Sequence, residues 1–112
     1  MIEEKIGVIS HVRFGFGGYQ EAMFGLSLTF DFKGSGVNTF ISGGWNFNPD
    51  KHAKWTKEDK AKQQAEMSEK IISLLKEAKI DDVTKLVGKP VMCTFKDFNT
   101  LSDWRILTEA IL

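Results

Sequence analysis

The stretch FGLSLTFDF, residues 24–32, places apolar and small or polar side chains in strict alternation. Successive side chains of a β-strand point to opposite faces of the sheet, so this period of two predicts a strand with one face toward the core. The core-facing positions are Phe24, Leu26, Leu28, Phe30 and Phe32, and the outward positions include Ser27, Thr29 and Asp31.

Two further strands flank this one. Residues 5–14 alternate and are rich in β-branched and aromatic types, which predicts a strand that ends at a turn or bulge over Gly15–Gly18. The glycines of Gly34–Gly36 mark a second turn, and Val37–Ser42 then predicts a third strand, antiparallel to the second. Residues 43–55 are expected to form a loop.

A long helix is predicted over Lys57–Lys79, a segment without glycine or proline that would span about 35 Å. Thr56 is a favourable N-cap residue, and Asp59 lies at the capping-box position. The second half carries an apolar stripe that begins at Met67. The first half is polar, which predicts either a solvated extension or a contact with another subunit.

The C-terminal third predicts a short helix capped by Asp81 and two more strands, Val91–Phe95 and 101–109, joined by a turn at 97–100. The whole pattern predicts a single α+β domain over residues 1–112. Its expected architecture is an antiparallel sheet of about five strands, in the order β-β-β-α-β-β, with one long helix packed on it.

Composition restricts the classes of partner. Fifteen basic residues balance fifteen acidic residues, and a net charge of zero argues against a general affinity for nucleic acid or anionic membranes. Low net charge also suits a homodimer or higher homo-oligomer. No apolar run reaches the length of a membrane span, and the single cysteine, Cys93, forms no intramolecular disulfide. We therefore expect a cytoplasmic protein.

Two glycine-aromatic segments, FGFGGY at 14–19 and SGGWNF at 42–47, are the least ordinary features of the chain. The first is not a dinucleotide-binding fingerprint, because a strand follows it where that motif requires a helix. Glycine permits tight turns and close approaches, while aromatic rings provide flat apolar walls. Each segment is therefore either a structural turn with its rings folded inward or a surface for a ligand or partner.

Arg13 and Arg105 are the only arginines in the chain. A guanidinium group binds phosphate or carboxylate with paired hydrogen bonds, which makes both residues candidates for an anion site. The alternative for each is a salt bridge to a neighbouring carboxylate. The basic run Lys51–Lys62, which contains Trp55, also has two interpretations: it contacts phosphates, or it is the solvated start of a helix.

No residue pattern indicates catalysis or a resident cofactor. His11 and His52 lack partners at metal-ligand spacing, and Cys93 alternates within a predicted strand as a buried apolar residue would. Asp81 and Asp82 are better explained as a helix cap than as a catalytic carboxylate pair. The sequence therefore predicts a protein that is not an enzyme and that uses neither a metal nor a cofactor.

Several blocks of sequence resemble a group of small phage- and prophage-encoded proteins. These blocks are FGGYQ at 16–20, AM at 22–23, GL at 25–26, KWT at 54–56, L-x-GKPV at 86–91 and DWRILTE at 103–109. The resemblance implies a bacterial cytoplasm and a phage accessory gene. Such genes often inhibit host defence, by capturing a signalling nucleotide or by binding a defence protein, and others serve replication or recombination.

The leading hypothesis is a non-enzymatic counter-defence protein that sequesters a small nucleotide-like ligand. One alternative is a protein inhibitor that binds a host defence or replication protein through the same aromatic surface. The other is a single-strand nucleic-acid-binding protein of a recombination module, which net neutrality disfavours. The expected ligand-binding residues are Arg13, Phe16, Tyr19, Trp45, Phe47, Trp55 and Arg105.

Overall fold

Five antiparallel strands and one long helix make up most of the computed structural model, which describes residues 2–97 and 100–111. The sheet has the order β3-β2-β1-β4-β5, and the helix packs on one of its faces. The predicted α+β class is confirmed. The elements are β1 (Glu3–Gly17), β2 (Met23–Phe32), β3 (Ser35–Trp45), α1 (Lys57–Ala78), β4 (Pro90–Phe95) and β5 (Leu101–Ile106), with short 3-10 turns at Tyr19–Glu21, Val83–Leu86 and Thr108–Ala110.

The central strand, β1, pairs with β4 through its first part and with β2 through the rest. A β-bulge at Ser10 inserts one extra residue and reverses which side chains face the helix. As a result Ile6 and Val8 lie on the open face of the sheet, whereas Val12 and Phe14 lie on the helix-covered face, although all four have the same parity in the sequence.

The first predicted turn lies further along the chain than the sequence indicated. Gly15 and Gly17 are still part of β1, opposite Gly25 and Met23 of β2. The chain turns only at Gly18, whose φ of 71° is readily adopted by glycine. Similarly, β3 extends through Gly43–Trp45 instead of ending at residue 42, so the predicted loop at 43–55 is shorter.

The core lies between the helix-covered face of the sheet and α1. The alternation of β2 is confirmed, because its central apolar side chains are fully buried there. Burial of a large apolar side chain contributes about 1.5–3 kcal/mol, so these residues supply much of the stability. The buried apolar residues are Ile9, Leu26, Leu28, Phe30, Met67, Leu74, Ala78, Leu86, Val91, Cys93, Phe95, Ile106 and Leu107.

The helix begins as predicted. The backbone N–H of Asp59 donates to Thr56 Oγ1 at 3.1 Å, and the backbone N–H of Thr56 donates to Asp59 Oδ2 at 2.9 Å, which completes a capping box. Most of residues 57–66 are exposed, but Gln63 crosses directly over Gly44 of β3. The helix ends one residue earlier than expected, because Lys79 adopts the left-handed conformation as its C-cap.

The C-terminal third differs from the prediction in two details. Asp82, not Asp81, caps the short turn after α1, and it accepts hydrogen bonds from the side chain and backbone N–H of Thr84, which lower the pKa of its carboxyl group. Strand β5 ends at Ile106 instead of residue 109, because the Thr108 hydroxyl donates to the carbonyl of Glu77 and draws the chain toward α1. Two residues of the predicted turn at 97–100 lie outside the described residues.

Candidate functional site

A groove crosses the open face of the sheet where β1, β2 and β3 lie side by side. The helix covers the opposite face, so this one is accessible, and the groove is open to solvent, with a volume of about 670 Å³. That volume is within the range of small-molecule sites. The groove, referred to below as the open-face groove, is lined by His11, Arg13, Gly18, Ser27, Thr29, Asn38 and Phe40. It also borders Val12, Leu28 and Thr39, which alternate with these residues along the strands and direct their side chains to the helix-covered face.

The shape of the open-face groove depends on two glycines, which have no Cβ atom. A Cβ atom built on Gly17 would come within 3.0 Å of the Phe40 ring, and one built on Gly25 would come within 3.1 Å of the same ring. The ring of Phe40 therefore lies close to the glycine backbone of β1 and β2. This arrangement leaves a flat apolar surface beside the polar part of the groove.

Arg13 is the charged group of the groove with no acidic partner. Its guanidinium donates one hydrogen bond to the backbone carbonyl of Phe16, which orients the side chain. Among residues 2–97 and 100–111, no carboxylate forms an ion pair with Arg13. The remaining guanidinium N–H groups and the positive charge are therefore available to an anion.

Neutral polar groups lie near Arg13 on the neighbouring strands. Ser27 faces Arg13 directly across the β1–β2 pair. The Thr29 hydroxyl donates to Asn38 Oδ1 at 2.8 Å, which leaves the amide N–H groups of Asn38 as donors. On β1, Ser10 Oγ lies 3.1 Å from His11 Nδ1. The groove thus combines one cation, several hydrogen-bond donors and an aromatic ring.

Arg105 lies away from the groove. Arg105 pairs with Met92 of β4, which in turn pairs with Ile6 of β1. Along the extended β1, Ile6 lies about 23 Å from Arg13. The Arg105 guanidinium forms a salt bridge to Glu109 at 3.0 Å, and hydrogen bonding from Arg105 lowers the pKa of the Glu109 carboxyl group. Arg105 lines a separate cavity of about 430 Å³ between α1 and β5.

Three of the predicted aromatic residues form a cluster of their own. The rings of Trp45 and Trp55 stack with centroids 6.0 Å apart, and Phe47 lies 5.5 Å from Trp45 and 5.7 Å from Trp55. Both tryptophans are half-buried. Lys60, within the predicted basic run, donates to the carbonyl of Phe47 at 3.2 Å and so secures the same loop.

Phe16 and Tyr19 lie at the same end of the sheet but outside this cluster. Phe16 packs against Phe24 at 6.3 Å on the helix-covered face, beside Phe14, and remains 53% exposed. Tyr19, in the turn after β1, is 78% exposed. The seven expected site residues are therefore divided among the groove, the aromatic cluster, the sheet end and the far edge.

Sequence reasoning did not assign Ser27, Thr29, Asn38 and Phe40 to a site. For Ser27 and Thr29 a signal was present, since both are outward positions of the alternating strand 24–32. Phe40 gave no such signal, because an aromatic residue in a short strand is ordinarily expected to face the core.

Cys93 is buried in the core, and this burial raises the pKa of its thiol from the ordinary 9.0 to about 11. Its predicted role as a small apolar residue agrees with this environment. Among the described residues, no three His, Cys, Asp or Glu side chains are grouped so as to hold a metal ion. None of the helices in the same residues has the length and apolar character needed to cross a membrane.

No protein-family model matches the chain, and neither a curated protein nor a solved structure shows significant similarity to it.

Proposed function

We propose that this protein is a non-enzymatic binding protein that captures a small, planar, anionic ligand of the nucleotide type in the open-face groove. The proposal rests on Arg13. Its guanidinium lies in a groove whose volume is within the range of small-molecule sites, and no acidic side chain among the described residues forms an ion pair with it. In contrast, Arg105 already forms a salt bridge with Glu109.

The ligand class follows from the groups that line the groove. A guanidinium group forms paired, charge-assisted hydrogen bonds with a phosphate, and each such bond contributes about 1.5–3 kcal/mol. Hydroxyl groups of Ser27 and Thr29 and the amide of Asn38 offer hydrogen bonds to a sugar or a base edge. The Phe40 ring supports a planar base, since stacking on an aromatic ring contributes about 1–3 kcal/mol.

Capture requires affinity alone, so the proposal assigns no catalytic role to His11 or to any other groove residue. In a phage accessory gene, which the sequence resemblance implies, such a protein would reduce the free concentration of a host signalling nucleotide. Stoichiometric sequestration is effective when the protein is abundant and its dissociation constant is below the cellular ligand concentration.

The test compares two arginine variants. Native mass spectrometry of protein purified from bacterial cells identifies a bound small molecule, and calorimetric titration with mono-, di- and cyclic nucleotides measures affinity. We expect Arg13→Gln to weaken binding about 10- to 150-fold, which corresponds to the loss of about 1.5–3 kcal/mol. The matched control, Arg105→Gln, also removes one positive charge and should change affinity by less than about twofold.

Two results would overturn the proposal. One is that no nucleotide binds and the purified protein carries no small molecule. The other is that the Arg13→Gln and Arg105→Gln variants bind a nucleotide as tightly as the unmodified protein does.

A second candidate function is inhibition of a host protein, and the exposed aromatic residues at the end of the sheet favour it. Phe16, Tyr19 and Phe47 are all exposed there, and aromatic residues are enriched at the centres of protein interfaces. Under this alternative, a Phe16→Asp variant would lose binding to the host protein, whereas Arg13→Gln would retain it.

Nucleic-acid binding is the weaker alternative. Within the basic run Lys51–Lys62, Lys60 is already hydrogen-bonded to loop oxygens, and the net charge of the chain is zero. A single-strand binder would show affinity that falls steeply with salt concentration, because each neutralised phosphate releases counterions. Titration of an oligonucleotide at two salt concentrations distinguishes this behaviour from small-ligand capture.

A further inference from the structure

The molecule exposes more surface than a compact monomer of its mass. Its radius of gyration is 15.3 Å, whereas about 13 Å is expected for a compact domain of this length. Its accessible surface is 7628 Å², whereas the scaling for monomers of 12.7 kDa gives about 6,200 Å². The excess of about 1,400 Å² is a total over the whole molecule, which includes the exposed first half of α1, and it is large enough to contain the roughly 800 Å² that each partner contributes to a stable interface.

Part of this surface is apolar and lies where an antiparallel sheet is usually polar. On the open face, Ile6 is 66% exposed and Val8 is 44% exposed, and Met92 of β4 lies directly opposite Ile6. The three side chains form a continuous patch over two central strands, named here the β1–β4 patch. The bulge at Ser10 produces it, because it reverses the faces of the first part of β1.

The surroundings of the β1–β4 patch resemble the rim of an interface. On β1, Glu4 precedes the patch and also faces outward, and Asp31 of β2 lies opposite Val8. On its other side Arg105 lies opposite Met92. An apolar centre bordered by charges of both signs is the usual arrangement of a protein interface.

The occupant that fits this surface is a second copy of the chain. A two-fold axis through the patch would place Ile6, Val8 and Met92 of one copy on the same residues of the other, which satisfies the self-complementarity that a two-fold interface requires. The net charge of zero adds no long-range repulsion between identical chains.

We propose that the chain forms a homodimer whose two sheets pack face to face through the β1–β4 patch. The proposal rests on different residues from ligand capture, because the patch lies on the part of β1 before Ser10 and the open-face groove lies on the part after it. It also differs from a contact through the first half of α1, which was one of the two roles that the polar helix pattern predicted.

The test measures assembly by sedimentation velocity and native mass spectrometry over about 1–100 µM, a range that spans the dissociation constants of moderate dimers. We expect the unmodified protein to be a dimer. Ile6→Glu should raise the dissociation constant at least about 100-fold, because the symmetry buries two unpaired charges in one interface. Met92→Lys is the second variant on the patch and should act in the same direction.

Ile72→Glu is the matched control. Ile72 lies on α1 and is 46% exposed, similar to Val8, so it introduces the same charge at an apolar surface position outside the patch. It should leave the dimer intact. Circular dichroism checks that each of the three variants is folded, which is expected for Ile6→Glu and Ile72→Glu because these two side chains are exposed in the single chain.

Three outcomes would overturn the proposal. The first is that the unmodified protein is a monomer over the whole concentration range. Alternatively, folded Ile6→Glu and Met92→Lys variants both dimerise as the unmodified protein does. Finally, Ile72→Glu disrupts the dimer as strongly as the patch variants do, which would place the interface on the helix.

Discussion

Gly15 and Gly25 are cross-strand neighbours in the β1–β2 pair, but their surroundings differ. A Cβ atom on Gly25 would overlap the carbonyl oxygen of Ile41 and approach the Phe40 ring. A Cβ atom on Gly15 would meet no atom within 4 Å. Replacement of each glycine by alanine therefore tests the packing of β3 against β2, which forms one side of the open-face groove.

The expected effect of Gly25→Ala is the sum of three contributions. Displacing the Ile41 carbonyl by on the order of 1 Å is an overpacking change that costs about 1–3 kcal/mol. A weakened β2–β3 backbone hydrogen bond costs about 0.5–1.5 kcal/mol more. Reduced freedom of the unfolded chain offsets about 0.4–1 kcal/mol. Taken near the midpoints of these ranges, the net destabilisation is about 2–3 kcal/mol.

In contrast, Gly15→Ala should be neutral or stabilising by about 0.4–1 kcal/mol, because its backbone is extended and its surroundings are open. A chain of 112 residues gains about 0.24 kcal/mol/K of entropy on unfolding, so 1 kcal/mol shifts the Tm by about 4 °C. Gly25→Ala should thus lower the Tm by about 8–12 °C, whereas Gly15→Ala should raise it slightly.

Thermal unfolding followed by circular dichroism, with urea unfolding as a second measurement, gives both differences. If the two alanine variants have equal stability, or if Gly15→Ala is the less stable one, the described approach of β3 to Gly25 is wrong. A loss of ligand binding in Gly25→Ala without a loss of stability would also contradict the reasoning, because displacement of β3 beside the groove is expected to lower the free energy of unfolding.

Two further predictions concern the helix and the core. Thr56→Ala removes one half of the capping box and should destabilise the protein by about 1 kcal/mol, or about 4 °C in Tm, as measured by urea and thermal unfolding; an unchanged Tm would mean that the cap does not form in solution. The Cys93 thiol has a folded pKa of about 11 against an ordinary 9.0, so the protein should lose stability as the pH rises from about 9 toward 11. In a Cys93→Ala variant, this alkaline loss should be smaller, and equal losses in both proteins would contradict the assignment.

Much of the fold could be predicted because local signals agreed with tertiary packing. The alternation of residues 24–32 marked the buried face of β2, and Thr56 with Asp59 marked the start of α1. The glycines were harder to interpret. Gly15 and Gly17 were predicted to lie in a turn and Gly43 in a loop, but each lies in a strand. At Gly17 and Gly43 a side chain from another element, Phe40 or Met67, lies where a Cβ atom would be.

The faces of β1 could not be predicted from sequence. A bulge depends on how two strands align, and Ser10 has no feature that would identify it as the extra residue. The candidate site could likewise be predicted only in part from the sequence. Arg13 was identified by its chemistry, but the other groove residues come from β1, β2 and β3, and the separation of Arg105 from Arg13 depends on the order of β4 and β5 in the sheet.

The strand order also has a consequence for how the chain acquires its structure. The β1–β2–β3 meander joins segments that are close in sequence, whereas the pairing of β1 with β4 connects Glu3 to Phe95. Contacts between such distant residues form late, since closing a long loop has a high entropic cost. During synthesis, the first part of β1 therefore remains an unpaired edge until the β4–β5 hairpin emerges. Glu3, Glu4 and Lys5 lie on that edge, and their charges oppose premature association with other nascent chains.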